Sequence, residues 1–209
     1  MKSKIAIYLA GSIKKGHENP KESFWTDDDI NLLRISLSQY DVTFLNPAIR
    51  TDDLSDPHSV FGRDMLQVFS CHIVFVDARD RRGLGVGAEM MWAKLNTIPV
   101  LTWAPKNSHY HKDQATLLGV LVDNFVHPFV DALSDQIVEN LTEGAKWIKK
   151  FISDPSSIEI KSLDHISAAM QYYKTNQLHR DTPMKQLLET ENELTERMNR
   201  SCPQFHASL

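Results

Sequence analysis

The sequence has little cysteine, no excess of basic residues and no long apolar run, and each shortage excludes a class of protein. Its two cysteines, Cys71 and Cys202, lie far apart, which argues against a disulfide framework and favours a reducing compartment. Lysine and arginine number 23 against 27 aspartates and glutamates, so the net charge of -4 gives no reason to expect polymeric nucleic acid as a partner. No apolar run approaches the roughly 20 residues of a membrane span. We therefore expect a cytoplasmic protein with no membrane partner.

The usual glycine motifs for nucleotides are also missing. The turn after the first apolar run reads AGSIKKG, with Gly11 and Gly16 but no GxGxxG, and no GxxxxGK[ST] occurs in the chain. The glycine-rich stretch GLGVG follows the third apolar run, which is the wrong place for a dinucleotide site. We expect no dinucleotide and no other cofactor.

A short histidine pair raises the question of a metal site. His109 and His111 form HYH and Asp113 follows closely, and imidazole and carboxylate are both zinc ligands. No second cluster completes a ligand set, and the surrounding stretch PKNSHYHKDQ is polar. We interpret this stretch as a solvated loop and expect no metal.

Short apolar runs rich in β-branched and aromatic residues predict the strands. They occupy 5–10, 42–46, 72–77 and 98–103, with a weaker fifth at 124–130, where Pro128 favours an edge position. The first run is at the short end for a signal-peptide core, so we interpret it as a strand. Helical patterns fill the gaps at 26–40, 59–70, 87–96 and 131–152. This alternation predicts an α/β, Rossmann-like fold with a doubly wound, parallel five-stranded sheet and ligands at the carboxyl ends of the strands.

The composition changes near DPSS, at 154–157, which predicts a domain boundary. We assign 1–153 to the α/β domain and 154–209 to a C-terminal helical extension, with helices near 162–176 and 183–199. Thr182 as cap and Pro183 at the first position are typical of a helix start. The apolar stripe of the second helix favours packing, against its own core or a second subunit.

One carboxylate is distinguished by its surroundings. Glu89, in GLGVGAEMMWA, is the only charged residue between Arg82 and Lys94. Three glycines precede it at alternate positions, Gly83, Gly85 and Gly87. A helix beginning at 87 would hold Glu89 in its first turn, where the dipole favours the ionised form, and the glycines would let another molecule approach the backbone. An ordinary helix start, where acids are common, explains the same pattern, so both interpretations stay open.

Two other polar residues are expected at the same edge of the sheet. Asp64 lies one helix earlier, in FGRDMLQVFS, and Tyr8 lies near the carboxyl end of the first strand. Neither is informative alone, but with Glu89 they bring polar groups to one edge from three different elements.

Three segments in order, IYLAGSI, RDMLQVFSCHIVFVDA and GLGVGAEMMWA, resemble the nucleoside 2-deoxyribosyltransferase family. That superfamily also contains the deoxynucleoside 5′-monophosphate N-glycosidases. The resemblance covers roughly residues 4–130, and residues after about 153 lie outside it. It implies a flavodoxin-like fold, cleavage of the bond between base and sugar, and a homo-oligomer, dimer or larger, that shares residues between subunits.

The resemblance also implies roles for the residues at this edge. Glu89 matches the nucleophile, Asp64 the aspartate that holds the sugar hydroxyls, and Tyr8 the tyrosine that hydrogen-bonds near the nucleophile. The transferases carry another acid six residues before the nucleophile, where this chain has Gly83, so the match breaks there. Asp80 or Asp77 is the replacement we consider.

The first loop, GSIKKGH, is closer to the monophosphate glycosidases, whose corresponding loop meets the 5′-phosphate. An ordinary exposed basic loop is the other interpretation. The full set of residues expected to bind substrate is Gly11, Ser12, Lys14, Lys15, His17, Asp80, Gly85 and Gly87. Trp25, Trp92 and Phe61 are candidates for stacking on the base, although Trp92 equally suits a core.

These residues are compatible with several functions. Attack of Glu89 on C1′ followed by a second base gives deoxyribosyl transfer, whereas water as acceptor gives hydrolysis of a nucleoside or its 5′-monophosphate. A nucleotide sensor without catalysis is an alternative, as is a scaffold in which residues 160–209 matter most.

Overall fold

The computed structural model describes residues 2–13 and 24–200. The chain forms two compact units, residues 1–160 and 161–209. The predicted boundary at 153 coincides with the end of a helix, and the first unit continues from there to residue 160. Among the described residues, no helix has the length and apolarity that crossing a membrane requires.

The first unit has a parallel sheet of five strands in the order β2-β1-β3-β4-β7. The strands are β1 (Lys4–Ala10), β2 (Asp41–Leu45), β3 (Ile73–Asp77), β4 (Val100–Trp103) and β7 (Gln136–Val138). Tyr8 pairs with Leu45 on one side of β1 and with Val74 on the other. All five strands are parallel, but β2 lies on one side of β1 whereas β3 and the later strands lie on the other. Ligands bind at this change in strand order in such folds. The α/β, flavodoxin-like and Rossmann-like architecture is thus confirmed.

Helices connect these strands, and local sequence explains where several of them begin. They are α1 (Asp27–Ser36), α2 (Pro57–Ser70), α3 (Leu84–Leu95), α4 (Pro128–Leu133) and α5 (Leu141–Ser153). Thr26 caps α1 in a reciprocal capping box with Asp29. Asp56 caps α2 just before Pro57, a residue suited to the first helical turn.

The fifth strand of the sheet was predicted in the wrong place. Residues 120–126 form β6 (Val120–Val126), which pairs antiparallel with β5 (His111–Leu117) in a separate hairpin. The predicted helix at 131–152 is instead α4, strand β7 and α5 in succession. The error has a physical cause: a strand of three residues is too short to produce an apolar period of its own.

The core lies mainly between the sheet and the helices α1 and α5. Alternation along β1 directs Ile5, Ile7 and Leu9 into this core. Tyr8 therefore points to the opposite face of the sheet, where it meets α3.

The second unit contains α6 (Leu163–Asn176), α7 (Thr182–Thr190) and α8 (Asn192–Asn199). The helix predicted at 183–199 is thus two helices, and Asp181 rather than Thr182 caps the first of them. None of the three helices has a fully buried residue.

Candidate active site

The centre of the candidate site is a buried pair made by β1 and α3. The Tyr8 hydroxyl donates a hydrogen bond to Glu89 Oε1 at 2.9 Å. Tyr8 is fully buried and Glu89 is 7% exposed. Burial, followed by the negative charges of Glu89 and Asp64, raises the pKa of Tyr8, so the phenol remains a proton donor at physiological pH.

Glu89 sits deeper in its helix than its sequence predicted. Helix α3 begins at Leu84 with Gly83 as its cap, so Glu89 is the sixth helical residue rather than part of the first turn. Burial raises the pKa of Glu89 to about 7, against the lowering effect of the Tyr8 hydrogen bond. The expectation that the helix dipole favours the ionised form was therefore wrong, because desolvation is the larger effect.

The second oxygen of Glu89 distinguishes this carboxyl from an ordinary structural acid. Oε2 is buried and has no hydrogen-bond partner among the described residues. A buried carboxylate oxygen without a donor costs free energy, and proteins keep such groups mainly at functional sites. The geometry thus leaves one oxygen held by Tyr8 and the other without a partner in the described part of the chain.

The glycines next to Glu89 leave space, as the sequence suggested. A side chain at Gly85 would meet only Glu89 Oε1, at 4.0 Å, and side chains at Gly83 or Gly87 would meet nothing within 4 Å. Gly85 and Gly87 belong to the first turn of α3 and are exposed. A second molecule can therefore approach this part of the backbone closely.

Asp64 joins the pair from helix α2. Its negative charge raises the pKa of both Glu89 and Tyr8, so it lies within electrostatic range of both. Its carboxylate accepts hydrogen bonds from Arg50 Nη1 at 2.9 Å and from Arg63 Nη1 at 3.1 Å. The structure thus brings together the three predicted residues Tyr8, Asp64 and Glu89.

The end of strand β3 carries a second buried acid. The Asp77 side chain is fully buried and forms ion pairs with Arg79 and Arg82, each at 2.9 Å. Arg82 Nη1 also donates to Ser12 Oγ at 3.1 Å, which connects the loop after β1 to the loop after β3. Asp77 therefore forms ion pairs with both arginines. Asp80, the other residue considered as a replacement for the missing acid, is half-buried in the turn before α3.

The loop after β1 is described only in part. A cleft of about 240 Å³ borders Gly11 and Ser12 on the side of α1. Tyr8, Asp64 and Glu89 do not line this cleft. A side chain at Gly11 would come within 3.2 Å of the Trp25 ring, so this position requires a glycine or a shift of that ring. The remaining predicted residues of the loop, Lys14, Lys15 and His17, lie outside the described residues.

Two of the three aromatic candidates have structural partners instead. Trp25 is buried against Phe75, and its indole donates to the Ala10 carbonyl at 2.9 Å. Trp92 donates to the Met65 carbonyl at 3.1 Å and thereby ties α3 to α2. Phe61 is 65% exposed on α2.

The histidine stretch is only partly the loop that its sequence suggested: His109 precedes β5, whereas His111 and Asp113 belong to that strand. His111 begins β5, and its Nδ1 lies 2.9 Å from the Ala104 carbonyl. Within 2–13 and 24–200, no group of three or more His, Cys, Asp or Glu side chains is arranged to hold a metal ion.

Sequence reasoning missed the arginines. Arg50, Arg63 and Arg82 each contact a predicted site residue, and their charged neighbours in IRTDD, GRD and DRR were the available signal. Charged clusters of this kind are usually solvated, so the pattern alone does not separate a site from a surface.

Comparison with known proteins adds no further support. The sequence matches no protein-family model and no curated protein.

Proposed function

We propose that this chain cleaves the N-glycosidic bond of deoxynucleosides or nucleosides, or of their 5′-monophosphates, as a nucleoside 2-deoxyribosyltransferase-like enzyme. The observation that carries the proposal is the Tyr8–Glu89 pair at 2.9 Å, in which the other Glu89 oxygen is buried with no partner among the described residues. The exposed Gly85 lies near the oxygen that Tyr8 holds. The order and spacing of the three sequence segments that resemble the family support it independently.

In the proposed reaction, a Glu89 oxygen attacks C1′ of the sugar while the C1′–N bond breaks and its electron pair leaves with the base. The base takes up a proton from solvent, and the sugar stays attached to Glu89 as an ester. A second base or water then attacks C1′ and loses a proton to solvent, while the bond between C1′ and Glu89 breaks and releases the carboxylate. Tyr8 orients Glu89 through its hydrogen bond, and Asp64 has the role that the resemblance implies, accepting from the sugar hydroxyls.

Hydrolysis of a 5′-monophosphate is the alternative to transfer. It is favoured by Gly83, which replaces the acid that handles the base in the transferases, and by Asp77, whose two ion pairs make it unsuited to that role. The hydroxyl of Ser12, held by Arg82, and the basic loop that follows are suited to a phosphate.

The deciding experiment is chromatography of mixed nucleosides and 5′-monophosphates after incubation with the protein, with and without an added free base. We expect base release that disappears in Glu89→Ala and Glu89→Gln and persists in Glu159→Gln, an exposed acid of the same unit. Near-normal release from folded Glu89→Ala would refute the proposal. Nucleotide binding without release over hours would favour a sensor.

The proposed working form is a homo-oligomer, dimer or larger. Both charged residues of α3, Glu89 and Lys94, are buried, so its outward face presents no charge. The large apolar residues exposed on α2 and α3 are Phe61, Leu66, Phe69, Leu84 and Met91. A charge-free apolar face is complementary to a second copy of itself. Sedimentation of the intact chain and of Leu84→Lys tests this, with a smaller species expected for the variant.

The proposed compartment is the cytoplasm. Cys71 is a free buried thiol, and burial raises its pKa to about 11, so it is unreactive and needs no oxidising environment.

A further inference from the structure

Four charged side chains beside the site form a closed arrangement of alternating sign. Arg50 and Arg63 both contact Asp64, and both also contact Asp52, at 2.5 Å from Arg50 Nη2 and 3.8 Å from Arg63 Nε. The four side chains are between 6% and 16% exposed. Two positive and two negative charges give this group, here called the Arg50–Asp64 cluster, no net charge.

Backbone contacts hold the cluster in place. Arg63 Nη2 donates to the Ile49 carbonyl at 2.6 Å, and Arg50 Nη1 donates to the Pro47 carbonyl at 3.3 Å. The guanidinium groups thus fasten the segment between β2 and α2 to the helix that carries Asp64. Arg50 Nη1 reaches both oxygens of Asp64, at 2.9 and 3.1 Å, which restricts rotation of that carboxylate.

The cluster lies on the helix that packs against α3. Trp92, three residues after Glu89, donates to the carbonyl of Met65, the neighbour of Asp64, at 3.1 Å. From there the Asp64 charge acts on Tyr8 and Glu89, and the Arg63 charge acts on Tyr8 with the opposite sign. We propose that Arg50 and Arg63, joined by Asp52, are positioning residues that orient the Asp64 carboxylate and offset its charge beside Glu89. The catalytic consequence rests on the proposed function, whereas the effect on the charge of Glu89 does not.

Few other charges face Glu89 from the elements packed on α3. Strand β4 carries no titratable side chain, and Lys94, on α3 itself, is paired with the buried Asp135. The titratable and charged groups on the other elements packed against α3, and on β1, are Lys4, Tyr8, His58, Arg63, Asp64, Asp77 and Asp131. Lys4 and His58 are exposed to solvent. Asp77 is already neutralised by Arg79 and Arg82. Within residues 2–13 and 24–200, the Arg50–Asp64 cluster is therefore a balance of charges on the helix packed against α3 that substitution can alter in either direction.

Substitutions within this one cluster should shift the titration midpoint of Glu89 in opposite directions. Arg50→Met or Arg63→Met leaves a net negative charge beside Glu89 and should raise its titration midpoint by about one pH unit. Asp52→Asn leaves a net positive charge and should lower the midpoint by a similar amount. The double variant Arg50→Met/Asp52→Asn restores neutrality and should return the midpoint close to that of the unsubstituted protein.

The experiment is a ¹³C NMR titration of the Glu89 side-chain carboxyl in each full-length variant, with Glu89→Gln used to assign the signal. This readout needs no substrate, so it succeeds or fails independently of the proposed activity. Midpoints that stay unchanged in folded variants, or that all move in one direction, would overturn the inference. If Arg50→Met does not fold, Asp52→Asn and Arg63→Met still give the opposite-sign comparison.

A second readout separates positioning from charge. Arg50→Lys keeps the positive charge, but one ammonium group cannot replace a guanidinium that reaches Asp64 through Nη1 and Asp52 through Nη2. It should leave the Glu89 midpoint within a few tenths of a pH unit while kcat falls by about tenfold or more. An unchanged kcat in Arg50→Lys would remove the orienting role and leave only the electrostatic one.

Discussion

Replacing Glu89 by glutamine should stabilise the protein at pH 8 but hardly at all at low pH. Folding moves the pKa of this carboxyl from its ordinary value of 4.5 to about 7, mainly because burial penalises the charge. A raised carboxyl pKa means that the folded state holds the proton more tightly than the unfolded state. Stability is therefore lost as the pH rises from 4.5 through 7. Glutamine has the same shape, never ionises and can still accept from Tyr8.

The magnitude follows from the shift in pKa. Each unit is equivalent to about 1.4 kcal/mol, so ionising Glu89 in the folded state costs about 3 kcal/mol above pH 7. Between pH 5 and pH 8, the free energy of unfolding of Glu89→Gln should therefore rise by about 2 to 3 kcal/mol relative to the unsubstituted protein.

Urea unfolding followed by tryptophan fluorescence measures this difference. All four tryptophans lie within residues 1–160, so their signal reports the unit that contains Glu89. Glu159→Gln serves as the matched control, because its carboxyl is exposed and its loss should produce no comparable pH dependence. A stability difference for Glu89→Gln that is the same at pH 5 and pH 8 would refute the reasoning, whatever its size.

Two further predictions concern the reactive pair and the core. Tyr8→Phe removes a hydrogen bond that lowers the Glu89 pKa, so the acid limb of base release, expected near pH 7, should move to higher pH. A kcat/KM profile that does not move would contradict the role given to Tyr8. Gly144→Ala should cost about 1 to 3 kcal/mol, because the added carbon would lie 2.6 Å from Cζ of the buried Phe75. The control is Gly62→Ala on α2, where the added carbon meets nothing within 4 Å. It should raise the free energy of unfolding by up to about 1 kcal/mol in the same urea assay. Equal losses of stability in the two variants would exclude the steric explanation.

Most of the fold was predictable because its strands carry strong local signals. The three interior strands, β1, β3 and β4, are mainly apolar runs, as expected where helices cover both faces of a parallel sheet. Strand β7 was missed because Gln136–Val138 is only three residues long and is held by its pairing with β4. The β5–β6 hairpin was missed because its first strand, His111–Leu117, is mostly polar and depends on cross-strand hydrogen bonds.

The candidate site was predictable only as a set of residues. The choice of Glu89, Asp64 and Tyr8 as candidates followed from the sequence. The sequence also predicted that the helix dipole favours ionised Glu89, whereas burial raises its pKa and favours the protonated form. Its pKa depends on how many atoms surround the carboxyl, and that number is set by the packing of α3 against β1 and α2. The arginines around Asp64 were missed for the same reason, since ion pairs between residues 50 and 64 depend on how the chain between them folds.

The sequence by itself determined that this chain builds a parallel sheet with an isolated acid in the glycine-rich helix after its third strand, because apolar runs, helix caps and glycines act locally. Only the tertiary structure decided that Tyr8 holds one oxygen of that acid while the other stays buried without a partner among the described residues. Burial and electrostatic balance are sums over neighbours from distant parts of the chain. They do not exist until those neighbours are brought together.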